Sequence, residues 1–366
     1  MNKQKIYTYI ENLVFHNEIP TVELKQWENI IHVLREVNLL AACYFQLENE
    51  DKLKSLPFFA FKHMKSAAVY SSRQSEQVTF ECKLLQKTLD AENIPSVFLK
   101  GASYTLRKSK NSEGRVYSDI DLLVAKNDIL KAEEAFSKHA WCTKKVSEYD
   151  NKYYREWSHE IPPMFNMHRG TVLDLHHNIL LPISGREVNV EVITENCQLV
   201  DGSYTVLSYA ATILHSIVHL IISEDVSNGY RDILDITILI KENNSPEFWQ
   251  EIASLSSKLG FNNELYLALS LSEKYANIAI PNDVWQSFNK QKNNSKLNFL
   301  LNHVYYFALQ PHSPAIQTLK HKIAITVVYF LGHLQKMPLK ILIPHLFTKS
   351  FFSIRDKIFG KHHFDK

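Results

Sequence analysis

Up to about Ala91, apolar residues recur at three- and four-residue spacing, as in WENIIHVLREVNLLAACYFQLEN and QVTFECKLLQKTLDAEN, with few turn signals. That period predicts a helical bundle or cap. Pro95 breaks it, and the short apolar run SVFL at 96–99 suits a buried strand. After a short helix, the charged, turn-rich RKSKNSEGR (107–115) leads to a second predicted strand, VYSDIDLLV (116–124). Side chains alternate faces along a strand, so Asp119 and Asp121 project together while Ile120 and Leu122 point the other way. A helix over 127–139, a polar and aromatic segment, and a third strand around TVLDLHHNI (171–179) follow. Val172, Asp174 and His176 share a face of that strand. From Ser208 the helical period returns and persists. The expected fold is α+β: a small mixed-sheet core at 96–205, between an N-terminal helical region at 1–95 and a C-terminal helical domain at 206–366.

Composition narrows the class. Apolar residues make up 45% and charged residues 22% of the 366 residues, ordinary usage for a folded protein. Lysine and arginine number 41 against 39 acids, so no overall field draws the chain to nucleic acid or anionic membrane, and any basic surface must be local. Cys43, Cys82, Cys142 and Cys197 form no CxxC pair, which argues against a zinc knuckle or a disulfide framework. The N-terminal stretch lacks a signal-peptide apolar core, so a cytoplasmic location is expected. The longest strongly apolar run, 323–334, falls short of the roughly 18 to 20 residues that cross a bilayer.

The chemistry concentrates in Lys100-Gly101, Asp119-Ile120-Asp121 and Asp174. Phosphoryl transfer on a nucleoside triphosphate needs hard oxygen ligands for magnesium, or manganese in its place, and two carboxylates one residue apart on a strand can bridge one or two ions. A third carboxylate from a neighbouring strand completes such a site, as a further ligand or as the base for an attacking hydroxyl. A glycine after a strand lets backbone approach the triphosphate, and N–H groups opening the next helix bind its oxygens. Lys100, Gly101, Ser103, Arg107 and Arg231 are the candidate nucleotide contacts.

The segments FLKGASYTLRK, YSDIDLLV and HEIPPMFNMHRGTVLDLHHNIL resemble a bacterial nucleotidyltransferase family of the DNA polymerase beta-like superfamily, over roughly residues 95–240. The resemblance implies that Gly101 is the glycine of the nucleotide-binding turn, Asp119 and Asp121 the metal pair and Asp174 the third carboxylate. The wider superfamily's second Gly or Ser is displaced here, with Ala102 standing before Ser103. The implied activity is transfer of a nucleoside monophosphate from an NTP such as ATP. The acceptor would be a small molecule, sugar, peptide or protein rather than a long nucleic acid. A toxin-like transferase acting on tRNA or protein, and a non-catalytic nucleotide-binding regulator, are the alternatives.

Other features carry blander readings. His215 and His219 share a helix face but lack the glutamate of a zinc-protease helix, so packing histidines are expected. Arg231 and Asp235 have the spacing of an intrahelical ion pair, with contact from Arg231 to phosphates as the alternative. His159 and His176 are expected to flank Asp174 and either to orient it or touch substrate, or equally to be structural, since a histidine near a carboxylate is a common satisfied pair. The segment PLKILIPHLFTKSFFSIRDKIFGKHH is amphipathic and basic. A helix docked on the helical domain is its favoured reading, and a peripheral membrane contact the other.

Overall fold

Helix α2 (Leu24–Glu36) shows how the N-terminal pattern becomes structure: Trp27, Ile30, Ile31 and Leu34 make one buried stripe, and Glu23 with Gln26 closes a capping box at its start. The computed structural model describes residues 3–289 and 295–359. Before the sheet come α1 (Lys3–His16), α2, α3 (Leu40–Asn49) and the long α4 (Phe58–Ala91). The sheet-bearing part contains β1 (Ser96–Phe98), α5 (Lys100–Arg107), β2 (Ile120–Val124), α6 (Ile129–Ser137), β3 (Trp141–Thr143) and α7 (Glu148–Lys152). It continues with β4 (Met164–Asn166), β5 (Val172–His176), α8 (Val190–Thr194), β6 (Cys197–Val200) and β7 (Tyr204–Leu207). Then follow α9 (Tyr209–Ile221), α10 (Gly229–Glu242), α11 (Pro246–Leu259), α12 (Asn262–Ala276), α13 (Asn282–Asn289), α14 (Ser295–Ala308), α15 (Leu319–Lys336) and α16 (Leu339–Phe359).

The strands form one seven-stranded mixed sheet in the order β3-β4-β5-β2-β1-β7-β6. β2 runs parallel to β5 and antiparallel to β1, and β1 runs parallel to β7. Ile120, Leu122, Leu173 and Leu175 pack with α4 and α6 in one core. Their alternating neighbours face the other way. A larger core joins the two ends of the chain: Phe15 of α1 stacks on Tyr275 of α12 at 5.0 Å and meets Tyr230 of α10 edge-on at 5.3 Å. α4 belongs to both cores, with Ala60 and Met64 in the larger and Val78, Cys82, Leu85 and Leu89 under the sheet.

Several expected boundaries move, two of them because another group takes the backbone. The second strand begins at Ile120 rather than 116, since Gln74 of α4 accepts from the Tyr117 N–H and donates to its carbonyl. The third strand ends at His176 rather than 179, because the N–H groups of His177 and Asn178 both donate to the His159 carbonyl. The helix expected over 127–139 starts at Ile129 after a single 3₁₀ turn. Strands β3, β4, β6 and β7 have no counterpart in the apolar pattern. Their three or four residues are too few to show a period.

The sheet is tied to α4 by a buried charge. Glu81 is fully buried and accepts from Arg169 Nε at 2.5 Å, Arg169 Nη2 at 3.0 Å and Thr171 Oγ1 at 3.0 Å, on the turn between β4 and β5. Arg169→Met would leave that carboxylate buried without its partner, so a loss of about 3–5 kcal/mol is expected in urea unfolding. An unchanged midpoint would show that the clamp contributes nothing.

All four cysteines are free, and burial pushes the Cys43 thiol up to about 12. Among the described residues no single helix is long and apolar enough to cross a membrane. The bent pair α2–α3 passes by composition, but its apolar stripe is core.

Candidate active site

Asp121 and Asp174 sit opposite one another as register partners on the adjacent parallel strands β2 and β5. Side chains paired this way share a face of the sheet. That face is the floor of a cleft of about 370 Å³, which Asp119 also lines from the residue before β2. The strand order thus brings all three sequence-predicted carboxylates to one cavity. Two residues further along β5, His176 Nε2 lies 3.0 Å from Asp121 Oδ1 and 3.5 Å from Glu160 Oε2. His176 therefore orients Asp121, not the Asp174 it was expected to serve. Glu160 reaches it because residues 159–161 pair alongside the end of β5.

The electrostatics separate the carboxylates. Burial works to raise the Asp121 carboxyl, but Lys100 Nζ at 3.6 Å and the His176 bond outweigh it and hold the group far below the usual range. Asp119 is raised by burial and by the charge of Asp121. Asp174 is raised to about 7 by burial and by the neighbouring charges of Glu160, Asp121 and Asp119. Its Oδ1 is buried and has no hydrogen-bond partner. Burial opposes protonation of His176, yet the bond to Asp121 and the charge of Glu160 raise it overall. His159, whose ring lies 5.3 Å from that of His176, is held well below its ordinary value by burial and by His176.

Hard oxygen donors, an orphaned carboxylate oxygen and mutually repelling acids are what a divalent cation would satisfy. Asp119, Asp121 and Asp174 are the residues that can hold it. Among the described residues the tight group of ligand atoms, all within 4.8 Å of one another, is instead His159, Glu160 and His176. As placed, Asp121 is engaged by Lys100 and His176, so those side chains occupy the carboxylate that a metal would take.

Other candidates divide by position. Lys100, Gly101 and Arg231 line the cleft. The left-handed residue at the start of α5 is Lys100, with φ +37°, and not the glycine. Gly101 is needed for space, because a Cβ there would lie 3.2 Å from the Tyr117 ring and 3.3 Å from Arg115 Nε. Ser103 is buried and donates to the Lys100 carbonyl, and Arg107 lies over the Tyr209 ring at 4.4 Å. Neither is part of the cleft lining. The expected Arg231–Asp235 pair is replaced: Arg231 pairs with Asp232 at 3.1 Å, and Asp235 with Arg115. His215 is buried, and burial lowers it to about 3. His219 opens to the cleft, where Lys100 disfavours its protonation.

Sequence reasoning missed Glu160 as a site residue, although it stands beside His159. It also missed Lys336, which reaches the cleft from α15 and pairs with Glu224. The C-terminal helix α16 packs on Met337 and α15 of the helical domain and also reaches the sheet-bearing part, through Leu342 against Leu181 and through His345 Nδ1, 2.9 Å from Tyr149 Oη. Lys361 of that basic segment lies outside the described residues.

A mixed sheet carrying paired carboxylates beside two helix starts, α5 at Lys100 and α10 at Gly229, defines a site for phosphoryl-group chemistry. The chain belongs to the family described as uncharacterised nucleotidyltransferase, whose pattern matches residues 23–277, more than half of its length. It is a transferase of that class. Among solved structures it is similar to the antibiotic-resistance factor ANT(2'')-Ia, at 14% identity over 50% of this chain and 92% of the other, with a TM-score of 0.34. It is likewise similar to an antigenic nucleotidyltransferase-like protein from Paracoccidioides brasiliensis, at 18% identity over 50% and 88%, with a TM-score of 0.29. No curated protein matches the chain.

Proposed function

We propose that this protein is a metal-dependent nucleotidyltransferase that moves a nucleoside monophosphate from an NTP to a hydroxyl or phosphate on a small molecule, sugar, peptide or protein. The observation that carries this reading is the in-register pair of Asp121 and Asp174 on adjacent parallel strands of one cleft, with Asp119 beside them. Bound magnesium, or manganese, would neutralise the triphosphate and polarise the α-phosphorus. Asp119 and Asp121 would hold it, with Asp174 on the next strand beside Asp121. Lys100 and Arg231, which line the cleft, would pair with phosphate oxygens together with the N–H groups that open α5. Arg115, buried beside Asp235 and over the Tyr104 ring at 5.2 Å, lines the same wall. The acceptor oxygen attacks the α-phosphorus, its bond forming as the bond to the pyrophosphate oxygen breaks. Its proton passes to Asp174, whose carboxyl near 7 is poised to accept it. Pyrophosphate leaves with the electron pair.

Calorimetry of the purified protein with each of the four common NTPs tests this reading. At least one should bind in the presence of magnesium or manganese and lose most of its affinity when the metal is chelated. Failure of all four to show metal-dependent binding would overturn it.

A further inference from the structure

The charge of this chain is segregated in a way that its net value of +2 hides. Nine of the 41 lysines and arginines lie between Val284 and Arg355, together with none of the 39 acids, so the rest carries 32 basic residues against 39 acidic ones. This acid-free stretch begins beyond the residues that the family pattern matches. It contains α15 and α16 as far as Arg355, with Asp356 following in the last turn of that helix. Along α15 the residues Leu319, Ile323, Val327, Phe330 and Leu334 follow each other at three- and four-residue steps, and along α16 so do Leu339, Ile343, Phe347, Phe351 and Ile354. That is the spacing of one helix face. Every one of these ten side chains is exposed, between 37% and 74%.

Neither stripe is a core face left open by a loosely held helix. The opposite face of α15 buries His321, Ala324, Val328 and Gly332, and a Cβ at Gly332 would collide with the Glu224 backbone nitrogen. Backbone contact that close, with the Lys336–Glu224 ion pair at the helix end, fixes which side of α15 points outward. On α16 the inward side is held by Leu342, by the His345–Tyr149 contact and by the ion pair of Lys349 with Asp150. At 100° per residue, exposed Lys320 and Lys322 fall on the two flanks of the α15 stripe, and exposed Lys340 falls within the arc of the α16 stripe, near its first turn.

We propose that α15 and α16 form a docking face for an anionic lipid bilayer, with the apolar stripes entering the interface and the lysines at lipid phosphates. A wide apolar stripe flanked by cations is the composition of an interfacial helix, and monomers rarely expose apolar patches of this extent. Charge selects among occupants. A second copy seated on this face would bring together two helix pairs whose own charges are almost all basic, and a nucleic acid would leave the apolar stripes unmatched. The proposal stands independently of the nucleotidyl-transfer reading.

Co-sedimentation of the full-length protein with vesicles tests it, using phosphatidylcholine alone and phosphatidylcholine mixed with one third phosphatidylglycerol. Binding is expected to the anionic vesicles and not to the neutral ones, and to weaken as salt rises. Phe330→Glu with Phe347→Glu, both at exposed positions, should lower vesicle affinity roughly tenfold or more while leaving the thermal unfolding midpoint unchanged. Lys320→Glu with Lys340→Glu should abolish the preference for anionic lipid. Three results would overturn the proposal: no binding to either vesicle, anionic binding that survives both double variants, and retention of RNA or a self-associated dimer through this face without vesicle binding.

Discussion

Asn in place of both Asp119 and Asp121 is expected to lower metal-dependent NTP affinity by roughly a hundredfold or more, a loss of about 3 kcal/mol. Lys100 and His176 already hold the Asp121 carboxylate ionised in a buried position, so it presents a full negative charge to the cleft at any physiological pH. Asn keeps the shape and one hydrogen-bond acceptor but supplies no charge to a divalent cation. Lys100 and His176 would then sit beside a neutral amide. The repulsion between Lys100 and a metal would add to the lost attraction. Asp119→Asn removes the second anionic ligand from the same side of the cleft. Metal-free unfolding should shift to lower urea, because Lys100 and His176 lose the charge they pair with, so affinity is measured where the variant is still folded, which separates a site effect from a folding defect. Metal-dependent affinity that survives in the double variant would remove the pair from the metal site.

The second large effect is expected on turnover rather than binding. Asp174→Ala should leave NTP affinity largely intact and slow transfer by roughly 10²- to 10⁴-fold, the usual contribution of a positioned base. Label transfer from an α-labelled NTP, once an acceptor is found, reads this out. Wild-type transfer in the variant would put the base elsewhere, with His159 and His176 next.

The same carboxyl makes a pH prediction that needs no acceptor. Its folded value, about 7, stands above the ordinary 3.8, so between those values the folded protein holds a proton that the unfolded chain has lost. Its contribution to stability is therefore full at low pH and lost as pH rises through 7. In metal-free protein, Asp174→Asn should remove that loss, worth on the order of 3 kcal/mol, and become the more stable form above pH 7. Urea unfolding of both proteins at pH 5 and pH 8 measures the difference. Parallel pH dependence in the two would show that Asp174 titrates in the ordinary range.

The parts of the site that lie close together in the chain are legible in the residues themselves. Asp119 and Asp121 face one way because a strand alternates, and the KG turn follows a strand because Pro95 and a short apolar run mark one. The helical regions declare themselves through long, regular spacing of apolar residues. All of these are local properties. They follow from backbone geometry and need no knowledge of the partner.

What the tertiary structure alone decided is which distant residues share a charge. Asp121 could be read as a metal ligand, but its engagement by Lys100 and His176, 21 and 55 positions away, depends on β2 lying between β1 and β5. Arg115 rather than Arg231 neutralises Asp235, because the loop before β2 is packed against α10. Arg107 left the nucleotide site for the Tyr209 ring, although its charge and position in the chain suited both. Short strands such as β6 and β7 have too few residues to carry a period, and they exist because the sheet edge supplies their hydrogen bonds. Periodicity follows from neighbours along the chain and is written in the order of the residues. Pairing of buried charges depends on long-range packing, where several partners of equal chemical suitability compete and only the fold selects among them.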